Sequence, residues 1–204
     1  EAEYMYNLSH HRECKSARDR LSPLQPLIIP ELKLAFCYVP KVACTQFKDL
    51  FNWLNGKQNK TLGFGKGYLA SMPKKLNMTM KEITRENGWK FATFTRDPVL
   101  RYISAFGSTC VSDQKGKFEH DWACCGPSTF GNISATKMAE FFKARVMSDV
   151  ERGIVRNEDH WVQQVEVLRN CGWDQFKPEA LDYWGLLTGD VNKQVKEMFS
   201  MVGY

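Results

Sequence analysis

The sequence predicts an α/β fold in which helices flank a parallel sheet. Two strand-like runs, each leading into a helical pattern, are the basis of that prediction. Leu34-Ala35-Phe36-Cys37-Tyr38-Val39 is a short, continuous apolar stretch, the pattern of a strand buried on both faces. Lys90-Phe91-Ala92-Thr93-Phe94-Thr95 is a second strand, rich in aromatic and β-branched residues. Each run passes through a short loop into its helix, and successive strand–loop–helix units build parallel sheets.

In chain order, residues 4 to 30 are polar and then punctuated by Pro23, Pro26 and Pro30, so residues 1–33 read as an N-terminal arm or stem. Glu1-Ala2-Glu3 looks like the scar of a secretory yeast leader. A single domain is expected over residues 34–204, long enough for a real core. After the first strand, Phe47, Leu50, Phe51 and Leu54 recur at helical spacing and predict an amphipathic helix. Residues 55 to 75 carry Gly56, Gly63, Gly65, Gly67 and Pro73 among lysines and read as a basic loop. These glycines do not form a dinucleotide fingerprint. Thr79 and Glu82 have the spacing of a capping box before a short helix. After the second strand, Asp97 fits a helix cap and Pro98 the first helical turn.

Residues 107 to 133 read as a long insertion pinned by disulfides. Met138, Phe141, Phe142 and Val146 then mark a helix with a core-facing stripe. Leu181 to Leu187 suggests a late strand, and a last helix is expected from Asp190 to Val202 with Val191, Val195, Met198, Phe199 and Val202 inward.

Composition excludes little. The formal net charge of +5 suits anionic ligands but is too small to nominate nucleic acid. No run approaches the ~20 apolar residues of a membrane span. Seven cysteines are many for a cytosolic protein of this size. Cys37 reads as a small hydrophobe buried in the first strand, while Cys14, Cys110, Cys124, Cys125 and Cys171 are disulfide candidates of open connectivity. Four N-x-[ST] sequons, at Asn7, Asn59, Asn77 and Asn132, exceed the roughly one expected by chance and favour a secretory route.

The chemistry concentrates in two stretches. Tyr38-Val39-Pro40-Lys41-Val42-Ala43-Cys44-Thr45-Gln46 places one lysine and small side chains before a helix N-terminus, where amide N–H groups and the helix dipole favour an anion. An ordinary turn with a surface lysine is the plainer alternative. Cys44 is also a conceivable nucleophile at a helix N-terminus, but nothing near it in sequence supplies a base. Arg96 stands at the carboxyl end of the second strand, where open α/β sheets bind ligands, and Ser104 lies about two turns into the next helix. A salt-bridged helix cap is the alternative for Arg96-Asp97-Pro98.

Together, Pro40 to Thr45 and Arg96 to Phe106 resemble the Golgi carbohydrate sulfotransferases of the chondroitin 4-O-sulfotransferase and HNK-1 sulfotransferase type, which use 3′-phosphoadenosine 5′-phosphosulfate (PAPS). Asn157-Glu158-Asp159-His160-Trp161 is similar to the family's His-Trp element, and the late strand has a counterpart there. The resemblance covers roughly Leu34 to the end. It implies a P-loop-like sulfotransferase fold and transfer of a sulfuryl group from PAPS to a carbohydrate hydroxyl, leaving 3′,5′-ADP, with no metal. The implied acceptor is a glycan, anionic or glycoprotein-linked, and nucleic acid is not a partner. It also implies residence in the Golgi lumen behind an N-terminal type II membrane anchor.

Residue by residue, the resemblance gives Lys41 the oxygen between sulfuryl and 5′-phosphate groups. The backbone of Val42, Ala43, Cys44, Thr45 and Gln46, with the Thr45 hydroxyl, holds the 5′-phosphate; Arg96 and Ser104 hold the 3′-phosphate. Arg101 adds charge there or makes a salt bridge on the helix surface. His160 is the candidate base by type, with His120 and Glu82 as rivals. The chain departs from the family after His160-Trp161: Gln163 and Gln164 stand where a proline often occurs, and Cys171 has no Cys-x-x-Cys partner. A P-loop kinase is disfavoured because no G-x-x-x-x-G-K-[ST] occurs. A carbohydrate-binding module without catalysis is disfavoured by Lys41, Arg96 and Ser104.

Overall fold

The computed structural model describes residues 25–57, 69–109, 134–152 and 160–204. Cys14, Cys110, Cys124, Cys125 and His120, three of the sequons (Asn7, Asn59, Asn132) and most of the insertion and of the glycine-rich loop lie outside these residues. The described chain divides into two compact units, one of residues 25–57, 69–98 and 163–204, the other of residues 99–109, 134–152 and 160–162.

The first unit is built on a four-stranded sheet, β1 (Leu27–Ile29), β2 (Leu34–Cys37), β3 (Lys90–Thr95) and β4 (Tyr183–Leu186), in that spatial order. β2, β3 and β4 run parallel as expected, but β1 is antiparallel to β2, so the sheet is mixed. β1 lies in the stretch expected as an arm. Its three residues are buried, and its outer edge is covered: Ile28 N–H donates to the Ser71 carbonyl (2.8 Å) and the Asn55 amide donates to the Ile28 carbonyl (2.8 Å). An edge whose polar groups are satisfied in this way cannot recruit a further strand.

Strand alternation sends side chains to two faces. On one, Phe36 packs against Phe47 and Phe51 of helix α1 (Cys44–Leu54), with centroids 4.4 and 5.3 Å away. Phe94 lies 4.9 Å from Phe47, and Phe51 reaches Phe199 of the last helix, Val191–Ser200. Asp190 caps that helix by accepting from Lys193 N–H, and Met198 and Phe199 are its buried residues. Gly185 shares this face. A Cβ there would stand 2.4 Å from the Phe94 ring, so only glycine lets β4 approach. On the other face Phe91 meets Phe176 edge-on at 5.3 Å, at the end of the helix Gln164–Phe176.

Cys37 is not the isolated buried thiol expected. It forms a disulfide with Cys171 from that same helix, across 134 residues of sequence. Burial in the sheet centre is retained, but the partner was invisible because the contact is made only by the folded topology. Closing so long a loop is worth roughly 5 kcal/mol in the chain-entropy description. Thr79 and Glu82 also differ from expectation. The Glu82 carboxylate accepts from Thr79 N–H (2.6 Å) and hydroxyl (2.8 Å), half of a capping box, but the segment stays a turn.

In the second unit, α2 (Pro98–Thr109, from Val99 on) and α3 (Ala135–Arg152) pack around Trp161. Ala105, Phe106 and Trp161 are its buried centre, with Tyr102, Met138, Phe141 and Phe142 against them. The helix Gln164–Phe176 is hereafter α4 and Val191–Ser200 is α5. Among the described residues no helix is long and apolar enough to cross a membrane.

Peptide mapping without reduction should recover Cys37 joined to Cys171 and Cys44 as a thiol; alkylation of both Cys37 and Cys171 in unreduced protein would contradict the pairing. A second expectation concerns Asp182, which binds Phe91 N–H (2.9 Å), Lys90 (3.1 Å) and Arg85 (2.7 Å) where β3 begins. Partial burial pushes its carboxyl up, but these partners outweigh that and leave it below the ordinary value. A lowered carboxyl stabilises the fold above its unfolded pKa, near about 3.9, and that stability is lost as pH falls through the folded value. The loss of Tm in Asp182→Asn should therefore be largest near neutral pH and shrink in acid. A loss independent of pH would contradict the charge argument.

Candidate active site

β2 and β3 pair in parallel with Cys37 opposite Thr93, and the Thr93 hydroxyl donates to the Cys37 carbonyl (2.8 Å). Their carboxyl ends therefore finish side by side, and the two segments singled out by the sequence begin there. This is where ligands bind in open α/β sheets.

The first segment turns sharply. Val42 N–H donates to the Val39 carbonyl (3.1 Å), and Val39 and Val42 are both buried. Lys41 (φ 68°) and Ala43 (φ 49°) are left-handed, a conformation that costs non-glycine residues roughly 1–2 kcal/mol each. Such strain persists only where surrounding packing enforces it, and it concentrates at binding loops.

Ala43, whose methyl group cannot cap, is also the N-cap of α1. The first helical bond runs from Phe47 N–H to the Ala43 carbonyl (3.0 Å), so the N–H groups of Cys44, Thr45 and Gln46 precede the ladder. The positive end of a helix favours negative charge nearby. Lys41, Cys44 and Thr45 are half-buried and Gln46 is exposed. Lys48, one turn further on, is buried with its ammonium 4.1 Å from the centre of the Tyr38 ring.

Arg96 comes directly after the last residue of β3. Its guanidinium donates to the Lys41 carbonyl (3.3 Å), which joins the two segments directly. Its main chain has left the sheet ladder and is held by Gln164, the first residue of α4. The Gln164 Oε1 accepts from Arg96 N–H (3.0 Å), and its Nε2 donates to the Arg96 carbonyl (2.8 Å). In the sequence Gln164 stands out only as a departure from a proline. No sequence signal could have assigned it, because the contact joins residues 68 positions apart. Beside Arg96, Trp184 Nε1 donates to the Thr95 hydroxyl (2.7 Å) and leaves its ring half-exposed.

Ser104 and His160 belong to the second unit. Ser104 is half-buried in α2, and His160 is half-buried in a turn. The next residue, Trp161, is 2% exposed, so it is a packing residue that anchors this turn. Around it, Arg145 stacks 4.3 Å over the indole and donates to Asp149 (2.9 Å), which also accepts from the Tyr102 hydroxyl (2.5 Å). Burial and the Asp149 carboxylate push the Tyr102 hydroxyl up, so it stays a protonated donor. Arg101 is not on the helix surface as the salt-bridge alternative required. It is buried and donates to the Val162 carbonyl (2.7 Å), fixing the chain just after Trp161. Glu82 is a poor rival base: its bonds to Thr79 hold its carboxyl below the usual range. Among the described residues no cluster of three or more His, Cys, Asp or Glu side chains could hold a metal ion.

Chemically, the first unit brings together a lysine-bearing loop at a helix N-terminus and a guanidinium, groups whose charge and donors suit anions. Comparison with known proteins gives the family of the chain. The model of the sulfotransferase family matches residues 25–197. Carbohydrate sulfotransferase 10 of Danio rerio is 31% identical over 127 residues, covering 58% of this chain and 33% of that protein. Human carbohydrate sulfotransferase 9 is 33% identical over 92 residues, covering 43% of this chain and 19% of that protein. The aligned stretch thus spans a third or less of each relative. No solved structure matches the chain. With the family match covering most of its length, the chain belongs to the sulfotransferase family.

Proposed function

We propose that the chain transfers a sulfuryl group from PAPS to a hydroxyl of a carbohydrate, by in-line displacement on a P-loop-like framework. The observation that carries this reading is the junction of the Lys41 loop with Arg96 at the ends of two adjacent parallel strands, joined by the guanidinium–carbonyl bond of 3.3 Å. The names of the relatives support the carbohydrate acceptor.

The residues fit a donor with two separated phosphate groups. The N–H groups of Ala43, Cys44, Thr45 and Gln46 suit the 5′-phosphosulfate, with the Thr45 hydroxyl beside them, whereas the Val42 N–H is already given to the Val39 carbonyl. The Arg96 guanidinium suits the 3′-phosphate by a charge-assisted, two-pronged contact. When bound, the donor supplies the sulfuryl group and a 3′,5′-ADP leaving group. Lys41 stabilises the negative charge that develops on that leaving group, and the helix end of α1 contributes in the same direction. As in phosphoryl transfer, positioning and electrostatics do most of this work, and neither needs a metal. By chemical type, Ser104 supplies a hydroxyl donor to the 3′-phosphate and His160 takes the proton of the attacking hydroxyl.

The secretory setting inferred from the sequons fits this reading. Asn77 is exposed, as an acceptor asparagine must be, and the Cys37–Cys171 disulfide belongs to an oxidising compartment. Residence in the Golgi lumen behind a type II anchor is part of the same proposal.

Calorimetric titration tests the donor. The protein should bind 3′,5′-ADP and not ATP, and Arg96→Ala should weaken 3′,5′-ADP by about 10- to 100-fold, the worth of a hydrogen bond to a charged group. Lys41→Ala should reduce kcat more than donor affinity, because its main partner is charge formed late in the reaction. Unchanged 3′,5′-ADP affinity in a folded Arg96→Ala protein would overturn the assignment. A glycan panel with labelled donor, read by mass, then identifies the acceptor.

A further inference from the structure

We propose that Gln164 is a positioning residue that confers recognition of the 3′-phosphate by holding the main chain of Arg96. The inference rests on the function proposed above and deepens it. Its basis is the paired contact in which one carboxamide uses its oxygen on Arg96 N–H (3.0 Å) and its nitrogen on Arg96 C=O (2.8 Å).

The physical need for it arises from where Arg96 stands. Thr95 is the last strand residue, and its carbonyl still takes part in the sheet by accepting from Leu187 N–H (2.7 Å). Arg96 is the first residue beyond that support. A residue leaving a strand keeps both backbone torsions soft unless its N–H and C=O are bound. Gln164 binds both at once, continuing the strand's support by one residue with a side chain. The direction in which the arginine side chain departs is then set before its own torsions act. The guanidinium contact to the Lys41 carbonyl (3.3 Å) completes a frame in which Arg96 is held at both ends.

Only a carboxamide can make this pair. A carboxylate has no proton to donate to the Arg96 carbonyl, and an aliphatic side chain has neither group. Asparagine has both groups but is one methylene shorter. Gln164 itself is anchored as the first residue of α4, whose Val167, Leu168 and Cys171 are buried and whose Cys171 is disulfide-bonded to β2. The clamp therefore connects the first, regular part of α4, before its kink at Gly172 and tied to β2 by the disulfide, to the end of β3, the kind of outer support that holds a binding group in its working position.

The test compares two nucleotides that differ only at the 3′ position. Wild-type, Gln164→Met and Gln164→Asn proteins are titrated calorimetrically with 3′,5′-ADP and with 5′-AMP, after thermal melts confirm folding. Wild type should prefer 3′,5′-ADP. Gln164→Met should lose about 10-fold in 3′,5′-ADP affinity, in the range seen for removed outer-shell partners, while 5′-AMP binding changes less than about twofold. Gln164→Asn should lose the same preference to a smaller degree, and it carries the test if the methionine variant fails to fold. A preference for 3′,5′-ADP kept intact in a folded variant would overturn the proposal, as would equal losses for both nucleotides, the mark of general destabilisation. A wild-type protein that binds both nucleotides equally would instead remove the function on which the proposal rests.

Discussion

The parallel register of β2 against β3 is the constraint on which the site depends. With Cys37, the last residue of β2, opposite Thr93, β3 runs only two residues further, and the segments after the two strands start as neighbours. A slip of either strand by one residue would turn its phenylalanine, Phe36 or Phe94, away from the face it shares with α1. The register is thus enforced by packing on both faces: phenylalanines toward α1 and α5, and Phe91 with the Cys37–Cys171 disulfide toward α4. Nothing in the lysine loop or in Arg96 itself has to specify that they meet.

Against this rigid background the loop can hold a conformation it would not choose alone. Two left-handed non-glycine residues within Lys41–Ala43 oppose folding by roughly 2–4 kcal/mol together. Buried Val39 and Val42 bracket the turn, and α1 is locked below it by Phe47 and Phe51. The side-chain packing offsets this strain. Glycine would relieve the strain but would also leave the loop free when no anion is bound. A loop with side chains is organised in advance, which reduces the ordering cost of binding.

Much of this was legible in the sequence, for reasons that differ by element. β2 and β3 announced themselves as apolar runs, and α1, α3 and α5 as 3.6-residue periodicities, because their burial is set by local pattern. Arg96 and Lys41 could be located because each lies just beyond a strand. β1 was not legible: three residues between prolines carry no period, and their strand character comes from pairing with β2 and from Ser71 and Asn55 along the edge. The Cys37–Cys171 disulfide and the Gln164 clamp depend on which elements the topology brings together, information that no short window contains. Arg101 differs from expectation for a related reason. Its helical position suggested surface, but the Val162 carbonyl draws it inward.

The most direct measurement of the central claim is a crystal structure with 3′,5′-ADP bound. In that complex the 5′-phosphate should lie against the N–H groups of Cys44, Thr45 and Gln46, and the 3′-phosphate on the Arg96 guanidinium. Lys41 must reach the side from which the sulfuryl group has departed. A nucleotide bound elsewhere, or one seated at the loop with Arg96 away from its 3′-phosphate, would contradict it.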